Sequence, residues 1–521
     1  MKKPILTLAL VSLITACGGG GGGGGDDPTP PNNITDQPTG NSGQPEQPSE
    51  QITGGDGTDH PHMSNFFGDQ DLTEFFAFFD HRNVNVIEFA ITEEEWQAML
   101  DRLEVNLSSD EYAKGSVTLK TRLGDTTITE AGIRIRGNTT RQIPQSSGGG
   151  LMPVHYKIKF NEEFDLQEGS VEELERKERR FANLRSIDLK SRAVSQDQSQ
   201  IRELYSYDLF NEAGIAAPLT GSARLILKIG DRPSFDYGIY TMIEPIDKAF
   251  LRKRYGDDDN EGNLYKCLWQ WGGPANLAHK PSWAPDERWI GFEETLENGT
   301  QNMVPTYQVK TNKEAFNTQD LRDFIDQLNA LEGDEFASYI DSVFNVDDFL
   351  RFLAMNVLIG MPDDYWAMGN NYYLYFNNNG KITFIPYDYD HGLGGGWQPF
   401  ATESASIYEW ENLMAQFEQS NLPFNEIQPL VDKILAVDDY LDQYLMYLDE
   451  YTAEMGLFSY ARYENKFELL KSLYDPDNNG RVDNDLNQGE EMGGTVVRNG
   501  TSMIEVEQYF KNRIASVRRQ L

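Results

Sequence analysis

The sequence predicts an α+β fold in two lobes, strand-rich first and mainly helical second. Residues 83–190 carry short runs in which apolar and polar residues alternate, the period of half-buried strands. From Asp320 onward apolar residues recur instead at helical spacing. Among those helices lie two strand-like runs, Tyr372–Phe376 and Ile382–Pro386, joined by Asn377-Asn378-Asn379-Gly380, a turn signal that pairs them as a hairpin.

The hairpin organises the chemistry. Asp363, Asp364, Asn370 and Asn371 precede its first strand, and Asp388 and Asp390 follow its second. Pairing brings these ends to one side, where carboxylate and amide oxygens suit Mg²⁺ or Mn²⁺ holding phosphate oxygens.

The chain of 521 residues is long enough for one large two-lobed domain or two to three smaller ones. Its 45 basic residues against 83 acidic ones leave a formal charge of −38, so its field repels nucleic acid and anionic lipid. The same field favours basic protein partners or divalent cations.

Residues 1–17 read as a charged start, an apolar run and Ile14-Thr15-Ala16-Cys17, which resembles a bacterial lipoprotein signal with Cys17 lipidated. Gly18 follows the cysteine where an aspartate would signal retention, so the outer membrane is favoured where the cell has one. With Cys17 modified, Cys267 has no intrachain disulfide partner. Residues 18–65 are rich in Gly, Pro and acid and too poor in apolar surface to fold, hence a tether.

The folded domain is expected over 66–521, with a first lobe over 83–245 and a second over 246–521. Asn83–Ile91 alternates as a strand, and Thr92 caps a helix opened by three glutamates and ending at Leu103. Further strands are expected at 116–121, 126–128, 132–140, 155–160 and 183–190. Asp197–Glu212 reads as an amphipathic helix, and 223–229 and 237–243 as paired strands. Helices follow at 320–331, 336–344, 346–358, 427–451, 459–474 and 505–521. This order is the layout of protein-kinase-like folds.

The chain resembles the CotH (spore coat protein H) kinase family, atypical secreted protein kinases. The motifs that carry the likeness are Arg134-Ile-Arg-Gly-Asn138, Tyr156-Lys-Ile-Lys-Phe160, the strand ending at Lys190 followed by Asp197 and Arg202, and Gly238–Asp247. Gly262-Asn-Leu-Tyr-Lys266, Asp364 before Asn371-Tyr-Tyr-Leu-Tyr375, and Ile385-Pro-Tyr-Asp-Tyr-Asp390 complete the set, in family order. The resemblance implies ATP as phosphate donor, Asp364 acting on a Ser or Thr hydroxyl of an extracytoplasmic protein, and Asp388 binding metal beside Asp390.

Asn370 or Asn371 can serve the same metal, although they lie six and seven residues after Asp364, where ordinary kinases place an asparagine at five. Phosphoryl transfer also needs positive charge on the phosphates. Arg134, Arg136, Lys157 and Lys159 are the candidates; alternation puts both lysines on one face and does not choose between them. Glu203 is placed to hold such a lysine, and Glu244 and Asp247 to brace the interlobe hinge or the nucleotide, with a helix cap as the alternative for Asp247. Asp475, Asp477, Asn479 and Asp483 resemble a calcium loop, but Leu486 stands where its closing acid belongs, so a plain turn is the alternative. The rival function is a non-catalytic surface scaffold or adhesion module, because ATP is scarce outside the cytoplasm.

Overall fold

The structure, a computed structural model, describes residues 67, 71–137, 140–195, 200–256, 260–270, 273–279, 284–285, 289–295, 301–312, 318–395, 401–414, 428–474, 495–498 and 501–521. The expected lipoprotein signal and tether, Asp197 and the candidate calcium loop lie outside these residues. No helix among those described is long and apolar enough to cross a membrane.

Seven strands close a barrel: β1 (Val84–Ile91), β2 (Ala113–Thr121), β3 (Gly124–Ile135), β4 (Tyr156–Lys159), β5 (Ser186–Ser191), β6 (Thr220–Ile229) and β7 (Phe235–Ile243). Their order is β1-β2-β3-β4-β5-β7-β6, and β6 returns parallel to β1, pairing Val84 with Ser222 through Ile91 with Ile229. The expected strands at 126–128 and 132–140 are one strand, β3. Period-two alternation fills the interior with Ile87, Phe89, Val117, Leu119, Ile133, Ile158, Ile187, Leu189 and Leu225. It therefore turns Asp188 and Lys190 of β5 outward. After β1, helix α2 (Glu93–Val105) starts at Thr92, whose hydroxyl accepts from the Glu95 N–H at 3.2 Å; the shorter α1 (Thr73–Phe78) precedes β1.

The remainder is helices around a second sheet. Helices α4 (Arg202–Glu212) and α5 (Lys248–Tyr255) follow β5 and β7, and α3 (Val171–Glu178) lies before β5. The expected helix over 197–212 begins at Arg202; Gln200 and Ile201 are described and lie outside it. Six strands then stand in the order β13-β12-β8-β11-β10-β9, with β8 at Asn263–Cys267, β9 at Ala284–Pro285, β10 at Trp289–Thr295 and β11 at Gln301–Val309. The predicted hairpin is β12 (Tyr372–Phe376) and β13 (Ile382–Pro386), antiparallel from Tyr372 opposite Pro386 to Phe376 opposite Ile382. It is not isolated among helices as expected, because β12 also pairs with β8, Tyr373 standing opposite Lys266.

Helices α6 (Gln319–Ala330) and α7 (Gly333–Val343) lead to α8 (Val346–Ile359), which is buried on nearly every side and ends at Gly360 in a left-handed conformation, φ 75°. A side chain at Gly360 would strike the Tyr509 hydroxyl, so the C-terminal helix packs tightly there. The four-residue α9 (Tyr365–Met368) connects α8 to the hairpin. The single helix expected over 427–451 is two, α10 (Pro429–Leu435) and α11 (Asp438–Tyr451), because Val437 is extended and two aspartates restart the helix after it. Helices α12 (Tyr460–Tyr474) and α13 (Val506–Gln520) close the core, with a small two-stranded sheet, β14 (Thr495–Arg498) and β15 (Thr501–Glu505), between them.

Candidate functional site

The outer face of β5, the start of α4 and the end of β13 meet at one ammonium. Lys190 Nζ donates to Glu203 Oε1 at 2.9 Å and Oε2 at 2.8 Å, hydrogen-bonds Asp388 and lies 3.3 Å from Asp390 Oδ2. Burial works against this charge, but the charges of Asp388, Asp390 and Glu203 outweigh it and hold the ammonium well above its usual range. Burial also pushes the Glu203 carboxyl up, assisted by Asp390 and Asp388 and opposed by Lys190.

Glu203, Asp388 and Asp390 each offer an oxygen within 4.8 Å of the others. Asp388 adopts φ 64°, a strained conformation for a residue with a side chain, and Tyr207 Oη accepts its N–H at 2.8 Å. Ser195 Oγ donates to Asp390 Oδ2 at 2.9 Å, and His391 Nε2 lies 3.8 Å from Asp390 Oδ1. The Asp388 side chain is 36% exposed against 5% for Lys190, so the acidic cluster opens to solvent on the Asp388 side. Hard oxygens, more carboxylates than the single lysine neutralises, and access from solvent fit a divalent cation.

The two adjacent aspartates before the hairpin have different fates. Asp364, the expected hydroxyl-orienting residue, is fully buried; one oxygen caps α9 by accepting the Ala367 N–H at 2.7 Å, and the other accepts from Asn356 Nδ2. Asn356 Oδ1 in turn accepts from Tyr389 Oη at 2.7 Å. Burial lifts Asp364 to about 7. Asp363 is only half-buried, and burial together with the charges of Asp388 and Asp390 lifts it to about 7 against hydrogen bonds from Asn370 and Asn371. Asp363 therefore shares the field of the acidic cluster.

Asn370 and Asn371 hold Asp363 in place through their amide nitrogens. Asn370 Nδ2 donates to Asp363 Oδ1 at 2.7 Å while its Oδ1 accepts the Trp269 N–H at 2.7 Å. Asn371 Nδ2 donates to the Asp363 carbonyl at 2.9 Å.

The four basic candidates separate. Lys157 pairs with Asp188 at 2.9 Å; Arg136 lies 3.5 Å from Asp188 and donates to Tyr387 Oη. Burial alone would raise Asp188, but Arg136 and Lys157 hold it far below the usual carboxylate range. Lys159 instead pairs with Glu162 at 2.7 Å, and Arg134 with Asp110 at 2.6 Å. None of the four is the lysine that Glu203 holds; that residue is Lys190, overlooked because all six residues of β5 are buried and its outward face is not marked by polarity. The available signal was its two-residue spacing from Asp188. Glu244 is also corrected: its oxygens receive Arg254 at 2.8 Å and Lys253 at 3.1 Å, and it accepts the Leu219 N–H at 3.1 Å, a fully buried structural bracket. Asp247 caps α5 through the Ala249 and Phe250 N–H groups.

The family model described as CotH kinase protein matches residues 133–514. The chain belongs to the CotH kinase family. The matched residues take in β4 to β7 of the barrel and the hairpin, and so every residue of the acidic cluster. The chain is also similar to the inner spore coat protein H of Bacillus subtilis (strain 168), at 27% identity over 216 residues. That match takes in 41% of this chain and 51% of the relative, about half the relative's length. Membership of a CotH kinase family suggests a kinase-type function and the use of nucleotide and divalent metal.

Proposed function

We propose that this chain is a metal-dependent protein kinase that moves the γ-phosphate of ATP to a Ser or Thr hydroxyl of a protein outside the cytoplasm. The observation that carries this reading is the buried Lys190–Glu203 pair facing Asp388 and Asp390, the parts phosphoryl transfer requires: a fixed cation, an acidic metal site and a carboxylate nearby. In it the barrel serves as the first lobe and the helices with the six-stranded sheet as the second.

Lys190, fixed by Glu203, neutralises phosphate charge. Arg136 and Lys157, gathered by Asp188, extend that positive edge. Asp363, oriented by Asn370, accepts the hydrogen bond of the acceptor hydroxyl and then its proton. Asp388 and Asp390 would hold Mg²⁺ or Mn²⁺, which supplies charge neutralisation on the phosphate oxygens. The acidic surface suits a basic protein substrate, and Cys17 would tether the domain to a bacterial membrane by its lipid.

One observation favours the non-catalytic scaffold: Lys190 already bridges all three carboxylates. Incubating the full chain with γ-labelled ATP and Mg²⁺ or Mn²⁺, beside Lys190→Met and Asp388→Asn, separates the two. Label that depends on both residues supports the kinase; absence of both transfer and nucleotide binding in the wild type leaves the scaffold.

A further inference from the structure

Lys266 on β8 has a different environment from Lys190, Lys157 and Arg136. Its ammonium lies 4.8 Å from the centroid of the Tyr387 ring and makes no hydrogen bond or ion pair with a described residue. By contrast Lys190 has three carboxylates, Lys157 has Asp188, and Arg136 has Asp188 and the Tyr387 hydroxyl. A ring face attracts a cation but satisfies none of its three N–H donors. Burial and the neighbouring Arg136 pull the ammonium down to about 8 despite Asp388, Asp188 and Asp110.

The position is set by the backbone. Lys266 stands opposite Tyr373 of β12, which stands opposite Ile385 of β13, two residues before Tyr387. Further along the same chain, the Trp269 N–H holds Asn370, which holds Asp363. Lys266 thus comes from the sheet that carries both Asp388 and the support of Asp363, whereas Lys190 comes from the barrel. The Lys266 ammonium, partly exposed beside the Tyr387 ring and in the field of Asp388 and Asp188, is open to an anionic oxygen of a ligand.

We infer that Lys266 is a phosphate-contacting residue that takes an oxygen of the γ-phosphate of bound ATP. This deepens the kinase reading and rests on it. The contact is specific to the nucleoside triphosphate, because the diphosphate lacks the group.

The test is titration of the full chain with ATP and with ADP in Mg²⁺, for the wild type, Lys266→Met and Lys266→Arg. Methionine keeps an apolar stem over Tyr387, and a thermal melt reports whether each variant is folded. The expected result for Lys266→Met is a loss of about tenfold in ATP affinity, the worth of one charge-assisted hydrogen bond, with ADP affinity unchanged and arginine restoring part of the loss. An unchanged ATP to ADP ratio in a folded variant, with the wild type binding both, overturns the role of Lys266 and leaves the kinase reading standing. Equal loss for both nucleotides places the contact away from the terminal phosphate and also overturns it. A wild type that binds neither nucleotide overturns the kinase reading and this one with it.

Discussion

Lys190 Nζ sits 2.8 Å from Glu203 Oε2, and the two side chains are 5% and 2% exposed. Removing one partner of such a pair leaves its counter-charge buried, at a cost of about 3–5 kcal/mol. Lys190→Met therefore unfolds at lower denaturant than the wild type in the absence of divalent ions. Millimolar Mg²⁺ recovers part of the difference, because the ion replaces the lost positive charge among Glu203, Asp388 and Asp390. Urea midpoints with and without Mg²⁺ measure both effects, and equal midpoints for the two proteins refute the pair's structural weight.

A ligand that binds only the folded state stabilises it by about 2.7 kcal/mol at one hundred times its dissociation constant. Mg²⁺ or Mn²⁺ is expected to raise the melting temperature of the wild type and not that of Asp388→Asn combined with Asp390→Asn. A shift of the same size in the double variant moves the metal elsewhere.

Asp363 and Asp364 make opposite predictions. Asp363→Asn is expected to lower kcat by about 10²–10⁴-fold with little change in melting temperature, as for loss of a proton acceptor. Asp364→Ala removes a helix cap and the acceptor of Asn356, and is expected to cost about 1–3 kcal/mol of stability. Kinetics and melts on both variants decide; a stable, inactive Asp364→Ala beside an active Asp363→Asn would reverse the assignment.

Asp80 reports acid stability away from the site. Burial alone would raise its carboxyl, but hydrogen bonds from Arg82 and the charges of Arg82 and Arg122 hold it below the ordinary value. A folded-state value lower than the unfolded one contributes stability above the unfolded value of about 3.9, lost as pH falls through the folded value. The melting-temperature gap between wild type and Asp80→Asn should thus be widest near neutrality and narrow as the pH drops below about 4. A gap independent of pH refutes this linkage.

Local pattern made much of this architecture readable and non-local pairing hid the rest. The hairpin announced itself through its Asn-Asn-Asn-Gly turn, and its register follows the expected runs residue for residue. Closure of the barrel depends on a parallel pairing between β1 and β6, separated in the chain by four strands and three helices, and no short window carries that signal. The second sheet escaped for a similar reason, since β8 finds its neighbours in β11 and β12. Within the site, adjacent aspartates differ only by which one caps a four-residue helix, too short for any periodicity to show. Glu203 was legible as a lysine's partner. The identity of that lysine was not, because the outward face of β5 is covered by the rest of the molecule and reads as core.

Asn356 touches both ends of the hairpin at once, its amide nitrogen on Asp364 and its amide oxygen on Tyr389. One side chain from the most deeply packed helix is in effect a latch across the two loops that carry the acids. Those loops cannot loosen separately: amide exchange after Asp363 and around Asp390 should accelerate together, in a single opening event, when the latch is cut.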